Sequence, residues 1–108
     1  MTSPIDAEGY PTQEALDMIT NWEIKKRSDY HTLMAFVKSM WAYAPMAFRK
    51  YRERYTLITL GWSGNENIIG ALHDNFVFKA VCWESSQRGG RHCYEPMGFK
   101  FQDEAINE

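Results

Sequence analysis

The sequence is poor in the residues that usually announce a chemistry. It has two cysteines, Cys82 and Cys93, and three histidines, His31, His73 and His92, none in a C-x-x-C or H-E-x-x-H spacing. That pattern points to no metal site and implies no cofactor. A long hydrophobic run is also missing: the longest, Phe76 to Trp83, is broken by Lys79 and falls far below the roughly 20 apolar residues that span a bilayer. No membrane-spanning helix is expected. Residues Met1 to Asp6 have neither the basic start nor the apolar stretch of a secretory signal, so the expected location is the cytoplasm. Nor does one sign of charge dominate, with 12 Lys and Arg against 14 Asp and Glu. Proteins that bind nucleic acid by neutralising phosphates are usually basic overall, which argues against nucleic acid as the partner.

At 108 residues the chain is too short for a doubly wound nucleotide fold with a second domain, or for an enzyme barrel of about 250 residues. One small domain remains, and 4 Trp, 6 Tyr and 6 Phe can fill its core. Charge is unevenly spread. Residues 1–23 carry five acids and no Lys or Arg, 24–54 carry eight bases against Asp29 and Glu53, and 55–108 carry four bases and seven acids. The near-neutral total thus conceals a basic middle segment, which reads either as a solvated face or as a local docking surface.

Pro4, Gly9 and Pro11 mark residues 1–11 as a flexible lead-in. Thr12 suits an N-cap, and Ala15, Met18, Ile19 and Trp22 recur at helical spacing up to Glu23. Ser28 or Asp29 is positioned to cap a second helix with the stripe Leu33, Phe36, Val37, Met40, Trp41 and Ala44, which Pro45 ends. Residues 46–54 then predict another helical turn or two. Tyr55–Leu60 reads as a strand stopped by Gly61. Ser63 and Glu66 form an S-x-x-E capping pattern before a helix over 64–74, with Asn75 as its stop. The run 76–83 fits a buried strand or a buried helix, and its short length and Val77 and Val81 favour the strand. Gly89-Gly90 predicts a two-residue hairpin turn returning along 91–95. These elements make one α+β domain over 12–101, with two N-terminal helices packed on a small, largely antiparallel sheet, and a frayed acidic tail over 102–108. Trp22, Phe36, Trp41, Phe76 and Phe78 are assigned to its core.

Three places could carry chemistry. At the strand-to-helix junction Trp62, Ser63, Gly64 and Asn65 offer a helix N-terminus to a phosphate or carboxylate, although Ser63 and Glu66 would equally make a purely structural cap. A nucleophilic Ser63 is poorly supported, because Asn65 stands where G-x-S-x-G needs glycine. In the hairpin, Trp83, Ser86, Arg88, Arg91 and His92 surround the turn. A two-residue turn would set Arg88 opposite Arg91, a like-charge pair that an anion would relieve or that solvent would screen. The same register separates Cys82 from Cys93 by roughly 13 Å, beyond disulfide reach, leaving both as small buried hydrophobes. Finally, Arg49, Lys50, Tyr51, Arg52, Arg54 and Tyr55 interleave bases with tyrosines, residue types favoured at protein interfaces.

Glu8-Gly9-Tyr10-Pro11-Thr12, Gly61-Trp62-Ser63-Gly64-Asn65-Glu66, and Trp83 with Ser85, Ser86, Arg88, Gly89 and Gly90 together resemble a family of small proteins encoded by bacteriophages and prophages. The resemblance implies a bacterial cytoplasm and an accessory role, with no implied activity or catalytic residue. A non-enzymatic binding protein is the expectation it supports. The helix start 63–66 and hairpin 85–92 would form an anion-accepting surface for a nucleotide-like ligand or an acidic surface of a host or defence protein. Alternatives are an inhibitor docking through 49–55 and a small serine-dependent enzyme; a homodimer through an exposed sheet edge is also compatible.

Overall fold

The computed structural model describes residues 3–44 and 46–96. The chain runs α1 (Gln13–Thr20), α2 (Arg27–Met40), β1 (Phe48–Tyr51), β2 (Arg54–Ile58), α3 (Ser63–Asp74), α4 (Phe76–Cys82), β3 (Trp83–Gln87) and β4 (Arg91–Tyr94). The strands form one antiparallel sheet in the order β1-β2-β4-β3, and the helices pack against it, so the α+β class is as expected. No helix among the described residues is long and apolar enough to cross a membrane.

Local chemistry explains most element ends. Thr12 caps α1, its Oγ1 accepting from Ala15 N at 3.1 Å. At the start of α2 the Asp29 carboxylate accepts from the N–H groups of Lys25 and Lys26, both at 3.0 Å, so Asp29 works from inside the helix. Asn75 closes α3 and opens α4 together: its Oδ1 accepts from Phe78 N at 3.1 Å, and its Nδ2 donates to the carbonyls of Ile19 and Trp22. One buried amide thereby joins three elements. Tyr30 has a similar role, its hydroxyl 2.9 Å from the carbonyl oxygens of both Glu53 and Tyr94.

Residues 3–11 form a closed loop: Asp6 Oδ1 accepts from Glu8 N and Tyr10 N, Thr12 N donates to Pro4 O, and the Tyr10 ring packs on Trp62 at 4.9 Å. Three local expectations are corrected. The segment read as helical turns over 46–54 is instead β1 and the tight turn to β2, with Arg52 at φ 57. The run 76–82 is helix, because Asn75 supplies the cap that a strand would not use. The β3–β4 turn has three residues, Arg88 to Gly90, with both glycines at positive φ, which shifts the register so that Gln87 opposes Arg91. Arg88 therefore sits in the turn and the expected Arg88–Arg91 rung does not form. The predicted tail over 102–108 lies outside the described residues.

The core lies between the helices and one face of the sheet, where Leu33, Val37, Leu57, Leu72, Phe78 and Tyr94 are fully buried. Phe76, assigned to the core, is 82% exposed, because it is the first residue of α4 and precedes the turn that faces inward.

Candidate functional site

The register of the sheet decides which candidate residues meet. Side chains alternate between faces, so β2 sends Tyr55 and Leu57 toward the helices and Arg54 and Thr56 the other way. Carried across the ladder, the row Arg49–Thr56–Cys93–Ser85 and the pair Arg91–Gln87 lie on the face away from the helices, joined by Tyr51 opposite Arg54. The basic segment and the hairpin, read as separate candidates, thus contribute to one surface. Thr56 and Cys93 belong to it as well. Period-two alternation along β2 and β4 is the signal that identifies them.

Among the described residues, charge on this face is mostly uncompensated. Arg54 pairs with Glu84, its Nε 3.1 Å from the carboxylate. Arg49 donates from Nε to Met46 O at 3.2 Å, Arg52 lies over the Tyr51 ring at 5.3 Å, and Tyr51 is 70% exposed. Among the described residues Arg49, Arg88 and Arg91 make no ion pair. In the middle lies the Cys93 thiol, buried beneath its neighbours. Burial alone would raise its pKa, but hydrogen bonding with Thr56, Arg54, Arg91 and Ser85 outweighs burial and lowers it. Thr56 Oγ1 is 3.7 Å from the sulfur. Cys82, by contrast, lies in the core and is pushed up to about 12 by burial. Both cysteines are free thiols.

Other candidates have structural positions. Tyr55 is buried, holding His31 Nδ1 at 2.8 Å through its hydroxyl, and leaves the docking set. Lys50 lies over the Tyr55 ring at 5.7 Å on the helix side of the sheet. At the α3 start Trp62, not Ser63, is the N-cap, and Ser63 Oγ reaches the Tyr10 hydroxyl at 3.4 Å. The S-x-x-E box does not form. Asn65 is fully buried: Oδ1 accepts from Ala42 N at 3.0 Å, and Nδ2 donates to the carbonyls of Ala42 and Thr59. Gly64 lies under the Trp62 ring, where an added Cβ would come within 2.2 Å of it. Covered by Trp62 and Tyr10, this helix start serves packing. It does approach the hairpin: Thr59 N donates to Gly90 O at 3.0 Å, and Gly90 has no room for a Cβ beside Thr59 Oγ1.

Trp83, Ser86 and His92 gather on the helix side of the β3 edge, apart from the arginines. No group of three or more His, Cys, Asp or Glu among the described residues is placed to hold a metal ion. Compared with family models, curated proteins and solved structures, the chain shows no match to any of them. Its class is therefore defined by its own geometry: an α+β domain whose antiparallel sheet is covered by helices on one face and, among the described residues, leaves a basic, polar face uncovered.

Proposed function

We propose that this is a binding protein that docks an acidic surface of a partner protein on the sheet face away from the helices. The observation that carries this reading is the shared face of Arg49, Tyr51, Arg54 and Arg91, two candidate segments made one by register. Arginine and tyrosine are frequent interface anchors, and guanidinium groups pair with carboxylates through two parallel hydrogen bonds. The sheet is preorganised, so docking would order few side chains beyond the arginines. The resemblance to phage-encoded accessory proteins supports a bacterial host or defence protein as that partner. A nucleotide-like ligand at the helix start is less supported, because Asn65 is enclosed and Trp62 covers Gly64.

Charge reversal tests the reading. Tagged protein and its Arg49→Glu/Arg91→Glu variant would be used to capture partners from bacterial lysate at low and high salt. The expected result is an acidic protein retained by the parent at low salt, weakened by high salt and lost from the folded variant. Equal capture by both proteins would remove the arginine face from the interaction. A nucleotide that raises the melting temperature of parent and variant alike would point instead to a ligand site elsewhere.

A further inference from the structure

On the other side of the sheet edge, Ser86 and His92 face each other as a cross-strand pair. Ser86 Oγ lies 2.7 Å from His92 Nδ1, and Trp83 Nε1–H donates to the same oxygen at 2.9 Å. Residues three apart on a regular strand point to opposite faces. The irregularity between Trp83 and Ser85 adds one residue to β3 and brings Trp83 and Ser86 to the same face. An indole N–H can only donate, so it occupies one Oγ lone pair, and in the His92 tautomer protonated on Nε2 the Ser86 hydroxyl donates its proton toward Nδ1. The imidazole is held edge-on against the His73 ring, centroids 5.9 Å apart, and His73 Nε2 is tied to the Tyr94 hydroxyl at 3.0 Å. Burial lowers the His92 pKa, with Glu66 opposing, so the ring is neutral and able to take a proton at neutral pH.

Trp83 and His73 also wall an open cavity of about 490 Å³, completed by Asp74, Phe76, Lys79 and Ala80. The exposed Phe76 ring gives it an apolar side, and Lys79 Nζ lies 5.8 Å from the centroid of the Trp83 ring. Trp83 hydrogen-bonds Ser86 and the His73 ring packs on His92, so two walls of this seat for an apolar or aromatic group are direct neighbours of the pair.

We propose that Ser86 and His92 are a nucleophile–base pair for acyl transfer from small aromatic or apolar esters, a second capability separate from the arginine face. Ser86 Oγ bonds to the carbonyl carbon as its proton passes to His92 Nδ1. The carbon–oxygen bond to the leaving alcohol breaks, and the alcohol takes that proton. Water then adds to the acyl-serine, gives a proton to His92, and Ser86 leaves with it. An ester and water become an acid and an alcohol. Trp83 acts as a positioning residue that aims the serine hydroxyl.

The test uses the full chain with a fluorophosphonate probe and with 4-nitrophenyl acetate, the modified residue being located by peptide mass spectrometry. Both reagents are expected to modify Ser86, with no adduct there in Ser86→Ala. Loss of a general base predicts labelling slowed about 100-fold in His92→Phe. Because His92 packs on His73, the unmodified protein supplies an independent readout: its labelling rate should rise with pH as His92 loses its proton. Absence of an adduct on Ser86, a rate unchanged in folded His92→Phe, or a rate flat across the histidine range would each overturn the assignment.

Discussion

Neighbouring residues of β2 occupy opposite environments. Leu57 is fully buried beneath the helices, while Thr56 beside it faces the other side among Arg49, Arg54 and Arg91. Stability is concentrated on the first side. There the apolar side chains of four helices meet the sheet, and the buried polar groups Asn65 and Asn75 have their amides engaged. The second side is polar, cationic and centred on a thiol with a lowered pKa. A face that contributes little to folding is free to be shaped by recognition.

The strongest test of this asymmetry lies on the covered side. Asn75→Ala removes donors to Ile19 O and Trp22 O and the cap on Phe78 N, leaving buried backbone groups without partners. Unpaired buried groups cost about 1–3 kcal/mol each and a lost N-cap about 1 kcal/mol, so destabilisation of about 3 kcal/mol or more is expected. Urea unfolding measures it. A loss below about 1 kcal/mol would show that the junction of α1, α3 and α4 adds little stability.

How much of this was legible in the sequence follows from the same contrast. Elements marked by local chemistry were readable: Thr12 before α1, the stripe of α2, the β-branched run of β2 and the Asn75 stop. Elements set by tertiary pairing were not. β1 lacks a period-two apolar pattern because Lys50 lies on its inner side, and its turn uses Arg52 in a left-handed conformation instead of a glycine or asparagine signal. The apolar run 76–82 suits either period, and only the second role of Asn75 decides for helix. The two glycines at 89 and 90 announced the hairpin but not its third turn residue, Arg88. That one-residue shift changes which side chains oppose each other across β3 and β4. Local chemistry thus assigns side chains to elements, and only the tertiary pairing groups them on a face.

Acid should sharpen the contrast by weakening the covered side alone. His31, His73 and His92 all lie there, and in each burial lowers the pKa below the ordinary 6.5. Lys50 and Arg27 add to that lowering at His31 while Glu53 opposes it; His92 and Lys79 add to it at His73 while Asp74 opposes. The unfolded chain thus binds more protons than the folded one just below pH 6.5. Stability from these groups is fully present above that value and is lost as pH falls through it toward the folded pKa values. Urea midpoints compared at about pH 7.5 and about pH 5.5 should be lower in acid, and His73→Gln should reduce the difference. An acid midpoint equal to or above the neutral one would contradict buried neutral histidines.

The smallest effect is expected on the uncovered face, and its smallness is informative. Arg49 and Arg91 are exposed and make no ion pair among the described residues, so Arg49→Gln/Arg91→Gln removes charge without opening a cavity, and the buried Cys93 thiol keeps Thr56, Arg54 and Ser85 as partners. Such surface changes usually alter stability by no more than about 0.5 kcal/mol. The same two substitutions reduce the positive potential around Thr56, Cys93 and Ser85, and Arg91 is one of the groups that lowers the Cys93 pKa. The variant should therefore unfold at nearly the parent urea concentration while its Cys93 thiol titrates at higher pH, followed by the ultraviolet absorbance of the thiolate in a Cys82→Ala background. Leu57→Ala, in the inward position next to Thr56, should cost about 2–5 kcal/mol as the internal comparison. If the arginine pair proved as destabilising as Leu57→Ala, the uncovered face would be part of the folding core and its claim to a separate binding role would fail.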